Sequence, residues 1–405
     1  MTLVPVEEVR AFVLAACGPG PVVEVPLAEA LGAVAAAEVR APEPVPAFPN
    51  SAMDGFAVRA GDVAGGPTTL RVVGTQLAGP VVPVEVGPGE AVRIMTGAAV
   101  PPGADAVVMI ERTAPSADGT SVVVEVPVEP GTAVRRAGDD LRAGDVVVTP
   151  GTLLTPGRLG VLANVGASSV AVHRRPRVGV LSTGDELVDA GAPLVPGQVR
   201  DSNRPTLLAL VAASGFAPVD LGRVGDDEAA VTTAVRSAVE RCDAVLTSGG
   251  VSMGDVDLVK VVLDRIGDMR WFQVAVKPAK PFAFGLVGGV PVFGLPGNPV
   301  SSMVSFELFA RPALRRMAGF RDGDLDRPRV RAVADEHLRR RPDGKVHLVR
   351  VVTAWGADGR CRVRSAGGQG SHQLSAMAAA DGLAVLSDGE GVGAGDEVEV
   401  LLLLS

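Results

Sequence analysis

From Arg177 to about residue 325, Val- and Leu-rich runs of strand length alternate with segments of helical period, and this alternation constrains the fold more than any other feature of the chain. Helical spacing over 206–214, 228–241, 256–266 and 299–317 separates strand-like runs beginning at Arg177 and at 217–224, 244–247, 272–276, 282–286 and 290–294. A strand that returns through a helix to the same sheet must lie parallel to its predecessor, with the helix covering a face. The stretch therefore predicts a three-layer α/β domain on a largely parallel sheet.

The flanking regions follow other rules. Short Val-rich runs at 69–73, 106–110, 122–126 and 146–148, separated by turns such as PGE, PPGAD and ADGT, predict an all-β module over 46–145. After residue 325 the runs at 329–334, 346–353, 362–364, 382–386 and 397–403 predict a small β-domain of barrel type over 326–405. Residues 1–40 read as helical, with Val6, Val9, Arg10 and Val13 at helical spacing and a second helix over 27–37. Pro42, Pro44, Pro46 and Pro49 exclude a helix between them. Residues 150–170 look helical again, with Pro156 near the start and Leu159, Leu162 and Ala163 on one face. The two helical regions, 1–45 and 146–176, are expected to pack together, which makes the β-module an insertion and 177–325 a separate α/β domain. There is no Tyr and little other aromatic content, so the cores must be built mostly of Val, Ala and Leu.

The formal net charge is -8 and no basic block suits a nucleic-acid backbone. An anionic small molecule remains compatible with a local basic pocket. Cys17, Cys242 and Cys361 are far apart and match no metal-ligand spacing, which suits a reducing cytoplasm. The N-terminus carries no basic leader and the apolar stretch at 9–16 is too short to span a bilayer. A soluble cytoplasmic protein with no membrane partner is expected.

Ligands of parallel α/β sheets bind beyond the carboxyl ends of the strands, where three polar loops fall: Ser182-Thr183-Gly184-Asp185-Glu186, Thr247-Ser248-Gly249-Gly250-Val251-Ser252-Met253-Gly254-Asp255-Val256-Asp257, and Leu295-Pro296-Gly297-Asn298-Pro299-Val300-Ser301. In the second, Gly249 and Gly250 let backbone N–H groups approach a phosphate while Thr247, Ser248 and Ser252 add hydroxyls; the plainer reading is a tight turn. Asp255 and Asp257, with Asp185, Glu186 and Asp226, offer hard oxygen ligands for Mg²⁺, or serve as helix caps and first-turn acids. Lys277 and Lys280 in a proline-stiffened loop suit an oxyanion, or are an ordinary solvated turn. Pro296 and Pro299 precede a helix whose first N–H groups can hold a small tetrahedral oxyanion, or simply start the helix. None of the four histidines has zinc spacing.

These loops, with PNSAMDGFAV from Pro49, RIMTGA from Arg93, PGADAVV from Pro102, DSNRPTL from Asp201 and KPAKPFAFG from Lys277, resemble the molybdopterin molybdenumtransferase family, called MoeA in bacteria and matching the E-domain of gephyrin. The resemblance covers essentially the whole chain. It implies a helical hinge region of two segments, an inserted β-rich domain, a three-layer α/β molybdopterin-binding domain and a C-terminal β-barrel-like domain. It also implies a homodimer whose active site lies between the α/β domain of one subunit and the N-terminal part of the other, with Asp54 serving across the interface. Asp185, Glu186, Asp226 and Asp257 would surround the nucleotide, and Glu186, Asp226 and Asp257 the Mg²⁺. Lys277, Lys280, Pro296, Pro299 and Ser301 would lie near the pterin phosphate or molybdate. Thr96 also matches a functional position, and the run containing Ser371 and Ser375 matches a loop reaching toward the same cleft. Phe56 stands where Tyr is frequent, and His372 where Gly is frequent.

The implied reaction inserts molybdenum from molybdate into adenylylated molybdopterin, with release of AMP. Transient contact with the molybdopterin adenylyltransferase and with recipient molybdoenzymes is expected. The nearest rival is the adenylyltransferase itself, using ATP, because the α/β domain alone resembles that class through TSGGVSMGDVD. A scaffold protein is a second rival, disfavoured because the acids and lysines are all present.

Overall fold

A computed structural model describes residues 2–250 and 258–403. The α/β domain runs β1 (Arg177–Thr183), α1 (Asn203–Ala213), β2 (Ala217–Val224), α2 (Glu228–Arg241), β3 (Ala244–Ser248), α3 (Leu258–Ile266), β4 (Asp268–Gln273), β5 (Pro281–Val287), β6 (Val290–Leu295), α4 (Pro299–Ser305) and α5 (Arg311–Met317). Its six-stranded sheet has the order β2-β1-β3-β6-β5-β4. The first four strands are parallel, and β5 and β4 add an antiparallel edge. Alternate residues of β1 serve opposite faces. Val178 and Val180 join a core with Leu207 and Val211 of α1 and Val300 and Leu314 of α4 and α5. Leu181 joins a second core with Val231 and Val235 of α2 and Val259 and Val262 of α3. The three layers expected from the strand–helix alternation are therefore present. The chain turns from β1 to β2 on one side and from β3 to β6 on the other, so the sheet has a switch point between β1 and β3.

The long helix expected over 299–317 forms, but with a π turn at Phe306–Ala310 between α4 and α5. Pro312 supplies a reason, since it has no N–H for the carbonyl of Leu308. That carbonyl accepts instead from Arg10 Nη1 at 3.3 Å. Arg10 belongs to the N-terminal helix Val6–Ala15, whose Val9 and Val13 are fully buried in the first α/β core. This helix thus packs on the α/β domain, not on Pro156–Asn164 as the helical spacing suggested.

A second expectation fails outright. Residues 27–37 are not a helix: a 3-10 turn at Leu27–Glu29 is followed by the strand Val34–Ala35. Gly32, at φ +74°, breaks any helix there. Val34–Ala35 and Val22–Pro26 pair antiparallel with either side of Ser169–His173. The two segments that flank the insertion do share a core, in which Ala33, Ala35, Val148, Leu162 and Val170 meet, but strands contribute as much to it as the helix Pro156–Asn164 does.

The insertion is a six-stranded, half-barrel sheet in the order Ala106–Met109, Gly55–Val58, Glu90–Ile94, Thr68–Gln76, Ser121–Val124, Thr113–Pro115. The proline-rich entry to it is not helical. The C-terminal strands β7 (Arg329–Ala334), β8 (Val346–Trp355), β9 (Cys361–Ser365), β10 (Gly382–Leu386) and β11 (Glu397–Leu402) close on themselves, since β8 pairs with both β9 and β10. Among the described residues no helix is long and apolar enough to cross a membrane.

Just before β7, Arg327 places Nε and Nη2 each 3.0 Å from the two carboxylate oxygens of Glu307. Glu307 and Arg327 are both buried, and Arg311 Nε lies 3.8 Å from the same carboxylate. Removing one charge from a buried group of this kind leaves the others without compensation. Glu307→Gln is therefore expected to lower stability by about 3 kcal/mol or more, read as a fall in the urea midpoint at unchanged m. A loss below about 1 kcal/mol, the range of exposed pairs, would show that solvent already compensates these charges.

Candidate active site

The registers Ser182↔Ser248 and Ser248↔Leu295 bring the ends of β1, β3 and β6 side by side, so their three loops leave the sheet as neighbours. Gly249 and Gly250 have φ of +96° and +69°, a region that L side chains rarely adopt. Space excludes a side chain as well: a Cβ on Gly249 would lie 2.8 Å from the Thr183 carbonyl oxygen, and one on Gly250 2.3 Å from Val259 Cβ. The Gly249 N–H donates to the Leu295 carbonyl at 3.2 Å, so it is committed to holding two loops together. The buried Ser248 hydroxyl accepts from Asn203 Nδ2 at 2.7 Å, and the same amide donates to the Gly297 carbonyl at 2.7 Å. Asn203 opens α1, so one side chain fastens the loop after β3 to the loop after β6.

The acids divide between two tasks. Asp227 caps α2, accepting from the Ala230 N–H at 2.7 Å. The capping alternative thus belongs to Asp227 and not to Asp226. Asp226 N–H donates to Asp185 Oδ1 at 3.0 Å, and Asp185 N–H to Asp226 Oδ2 at 3.4 Å. This reciprocal pair brings the loops after β1 and β2 together and leaves one oxygen of each carboxylate without a described protein donor. Glu186 folds back over Gly184, whose Cβ position would be 2.4 Å from Glu186 Oε2. Asp185, Glu186 and Asp226 are exposed, and none is ion-paired among the described residues. Carboxylate oxygens are the ligand type that a divalent cation takes. No group of three His, Cys, Asp or Glu among the described residues suffices by itself to hold a metal. Ser252, Asp255 and Asp257 lie outside the described residues.

A cleft of about 680 Å³ lies between this domain and the barrel, and it gathers Lys277, Lys280, Asn298, Ser301, Lys345, Ser371 and His372. Ala279, at φ +83°, is in the left-handed region, an arrangement that costs a non-glycine residue about 1–3 kcal/mol. The turn it makes lets both Lys277 and Lys280 line the same cleft. Val276 and Lys277 also pair parallel with Val346 and His347 of β8. The Ser371 carbonyl accepts from the Val300 N–H at 3.1 Å, which pins the 370–372 loop to the start of α4. Lys345 Nζ is 2.8 Å from Asp343 Oδ2, and His347 Nε2 is 3.1 Å from Asp343 Oδ1. These contacts, Lys345 first, hold the Asp343 carboxyl down at about 2.

Asp54 and Thr96 form a separate pair on the insertion. Asp54 Oδ1 accepts from the Thr96 N–H and from its hydroxyl, each at 2.7 Å. The backbone bond above all, then the hydroxyl, holds the Asp54 carboxyl below its ordinary range. None of these hydrogen bonds reaches the strand-end loops of the same chain. Phe56 is 2 % exposed within the insertion's own core, so the hydroxyl that a tyrosine would add there has no bearing on the lysine cleft.

The sequence-selected residues therefore fall into four groups: Ser248, Gly249 and Gly250 at the cradle, Asp185, Glu186 and Asp226 beside it, Lys277, Lys280, Ser301 and Ser371 in the basic cleft, and Asp54 with Thr96 on the insertion. Pro296 is buried and Pro299 is the first residue of α4, both between cradle and cleft. Ser375 is exposed on the short helix Leu374–Ala378 and does not line the cleft. Sequence reasoning gave no role to Asn203, although it stands in the DSNRPTL run, and passed over Lys345, which carries no motif signal beyond a turn.

Two outcomes follow from this geometry. Gly249→Ala is expected to cost about 1–3 kcal/mol in backbone strain and to weaken binding of a phosphate-bearing substrate; parental values of both urea midpoint and affinity would mean that the loop accommodates a Cβ. Asp343 has a depressed carboxyl, so its contribution to stability is complete above the ordinary value of 3.8 and disappears as the pH falls through about 2. A carboxyl-carbon NMR titration should find this residue still ionised at pH 3, and a midpoint near the ordinary value would dissolve the link to Lys345.

The chain matches the family description "MoeA N-terminal region (domain I and II)" over residues 4–166, "Probable molybdopterin binding domain" over 179–316 and "MoeA C-terminal region (domain IV)" over 332–403. It is 40 % identical to the molybdopterin molybdenumtransferase of Haemophilus influenzae, with 92 % of each chain covered. It is also 40 % identical to molybdopterin molybdenumtransferase 2 of Mycobacterium tuberculosis (strain H37Rv), with 97 % of each covered. The crystal structure of the molybdopterin biosynthesis MoeA protein of Pyrococcus horikosii superposes with a TM-score of 0.82 at 31 % identity, covering 100 % of both chains.

Proposed function

This chain belongs to the MoeA family of molybdopterin molybdenumtransferases, and on that premise we propose that it is a transferase that inserts molybdenum into molybdopterin. The observation that carries the reading is a lysine-lined cleft beside a cradle of strand-end loops, with uncompensated carboxylates at the next loop. Such a surface separates two needs of the reaction: fixed cations for an oxyanion, and hard oxygens for a metal-bridged phosphate.

In finer detail, molybdate is read as the metal donor and adenylylated molybdopterin as the acceptor. Lys277 and Lys280 hold the charge of molybdate or of the pterin phosphate, with Ser301 and Ser371 as hydrogen-bonding neighbours. Lys345 is added to this group; Asp343 offsets its charge, so its pull on an anion is the weakest of the three. The loop of Ser248, Gly249 and Gly250 shapes the phosphate approach. Glu186, Asp226 and Asp257, with Asp185 near the nucleotide, are the residues read as holding Mg²⁺. When bound, the cation supplies charge neutralisation and orientation at the pyrophosphate link. Cleavage of that link releases AMP. The Asp54–Thr96 pair is read as completing the site of a second subunit, which makes a homodimer the working form. A cytoplasmic setting, with transient contact to the adenylyltransferase and to recipient molybdoenzymes, accords with this chemistry.

An ATP-dependent adenylyltransferase is not favoured, because the similarity extends through the N-terminal and C-terminal regions on either side of the α/β domain. The test is direct. Purified protein mixed with adenylylated molybdopterin and Mg²⁺ should release AMP when molybdate is added. AMP release indifferent to molybdate, or consumption of ATP in its place, would count against the proposal. Lys277→Ala and Lys280→Ala should each raise the molybdate or substrate requirement while leaving the thermal transition nearly unchanged. An equal loss of stability and activity would return both lysines to a folding role.

A further inference from the structure

A second cavity, of about 590 Å³, opens between the segment 151–158, helix α5 and the connector 320–328 that leads to the barrel. It shares no lining residue with the lysine cleft. Arg311 and Arg315 lie 10 to 14 residues along the helix from Ser301, which puts the cavity roughly 15–20 Å from the cleft. Its walls carry Arg158, Arg311, Arg315, Arg321 and Arg327, against the acids Asp324 and Asp326.

The partners of these side chains show where charge is left over. Arg327 and Arg311 share the single carboxylate of Glu307, at 3.0 and 3.8 Å. Asp326 is committed to Arg10 at 2.8 Å. The other arginines hydrogen-bond to neutral oxygens. Arg158 donates to the Leu153 carbonyl at 2.6 Å and Arg315 to the Asp324 carbonyl at 2.7 Å. Arg321 donates to the Pro150 carbonyl at 2.9 Å, and Arg311 also donates to the Leu325 carbonyl at 3.2 Å. Carbonyls fix a guanidinium in place and cancel none of its charge. Arg311 is the least exposed of the five: it is 5 % accessible, and its Nε is buried without a hydrogen-bond partner. Burial, and then the neighbouring Arg327, pull its pKa down to about 10. Arg315 is further held over Phe320, its guanidinium carbon 3.6 Å from the ring centroid.

Planar guanidiniums fixed around a void, with their donors oriented and with Arg158, Arg315 and Arg321 in no ion pair among the described residues and outnumbering the one unpaired acid, Asp324, form a receptor for an oxyanion. The void exceeds what a bare tetrahedral ion needs, and Leu153, Phe320 and Pro328 give it an apolar side. We propose that this cavity is a second anion site, separate from the lysine cleft, which takes the dianionic phosphate of a small phosphorylated molecule. Bound there, the phosphate joins the segment after the insertion, the α/β domain and the barrel connector through one ligand. Occupancy of the site then bears on how the barrel is held over the distant cleft.

Calorimetric titration at constant ionic strength tests this, with inorganic phosphate and glycerol 3-phosphate as the probes. Each is titrated into the parent protein, into Lys277→Ala/Lys280→Ala, and into Arg158→Gln and Arg321→Gln, singly and together. Arg158 and Arg321 are exposed rim residues whose replacement spares the core. The expected result is binding in the parent that survives in the lysine variant and weakens about tenfold or more in the double arginine variant. Tighter binding of glycerol 3-phosphate than of phosphate identifies the ester as the ligand class, and the reverse order identifies the free ion. Absence of binding in the parent, binding indifferent to both arginines, or binding lost in the lysine variant would each overturn the proposal. A thermal melt with and without the probes supports the same reading: the midpoint should rise in the parent and in the lysine variant, and stay fixed in the double arginine variant.

Discussion

The barrel's position depends on a carboxylate that almost never meets water. Glu307 sits on the π turn between α4 and α5, and Arg327 reaches it from the connector just before β7. Withdrawing such charges from solvent is costly, and only the two-point geometry offsets it. The contact is therefore more a matter of where the connector leaves the α/β domain than of net stability. With the connector fixed, the barrel lies over the carboxyl end of α4's neighbouring strands, and the lysine loop acquires its opposite wall of Lys345, Ser371 and His372.

The same stretch of helix serves both ends of the domain. Its beginning, Pro299 to Ser301, faces the loops that carry the site, and its far end supplies arginines to the second cavity. Between them, Pro312 removes one backbone donor, and Arg10 from the N-terminal helix takes up the released carbonyl. A proline inside a helix is thereby tolerated because a distant part of the chain repairs the backbone, and the repair ties the N-terminus to the α/β core.

Much of the fold was legible because burial writes a period into sequence. The bounds of β2 and α2 coincide with the apolar pattern, since each packs one simple face on the sheet. Residues 27–37 misled because Ala and Leu have helical preference and the local pattern contains no record of Ser169–His173, the strand they pair with. Pro312 marks the place of the π turn, but the helix continues past it with help from Arg10, which takes up the Leu308 carbonyl from 298 residues away and leaves no trace in the local pattern. In the site, motifs with dense polar and glycine content were visible: Gly249 and Gly250 are required by φ and by close backbone approach. The division of labour between Asp226 and Asp227 was not, because adjacent aspartates before a helix look alike until one of them is seen to accept the Ala230 N–H. Asn203 escaped because its partners, Ser248 and Gly297, are remote in sequence, and Lys345 because only the fold brings it to the cleft of Lys277 and Lys280; a lone amide or lysine has no pattern of its own.

The pairing of Val276 and Lys277 with Val346 and His347 has a mechanical meaning. The loop that bears the lysines is stitched by backbone hydrogen bonds to a barrel strand, although its chain position assigns it to the α/β domain. Any rotation of the barrel would have to carry Lys277 along or break that ladder. The two walls of the cleft therefore cannot separate as independent jaws; they are geared, and the spacing of the lysines from the loop after β6 is the quantity that such a movement would change.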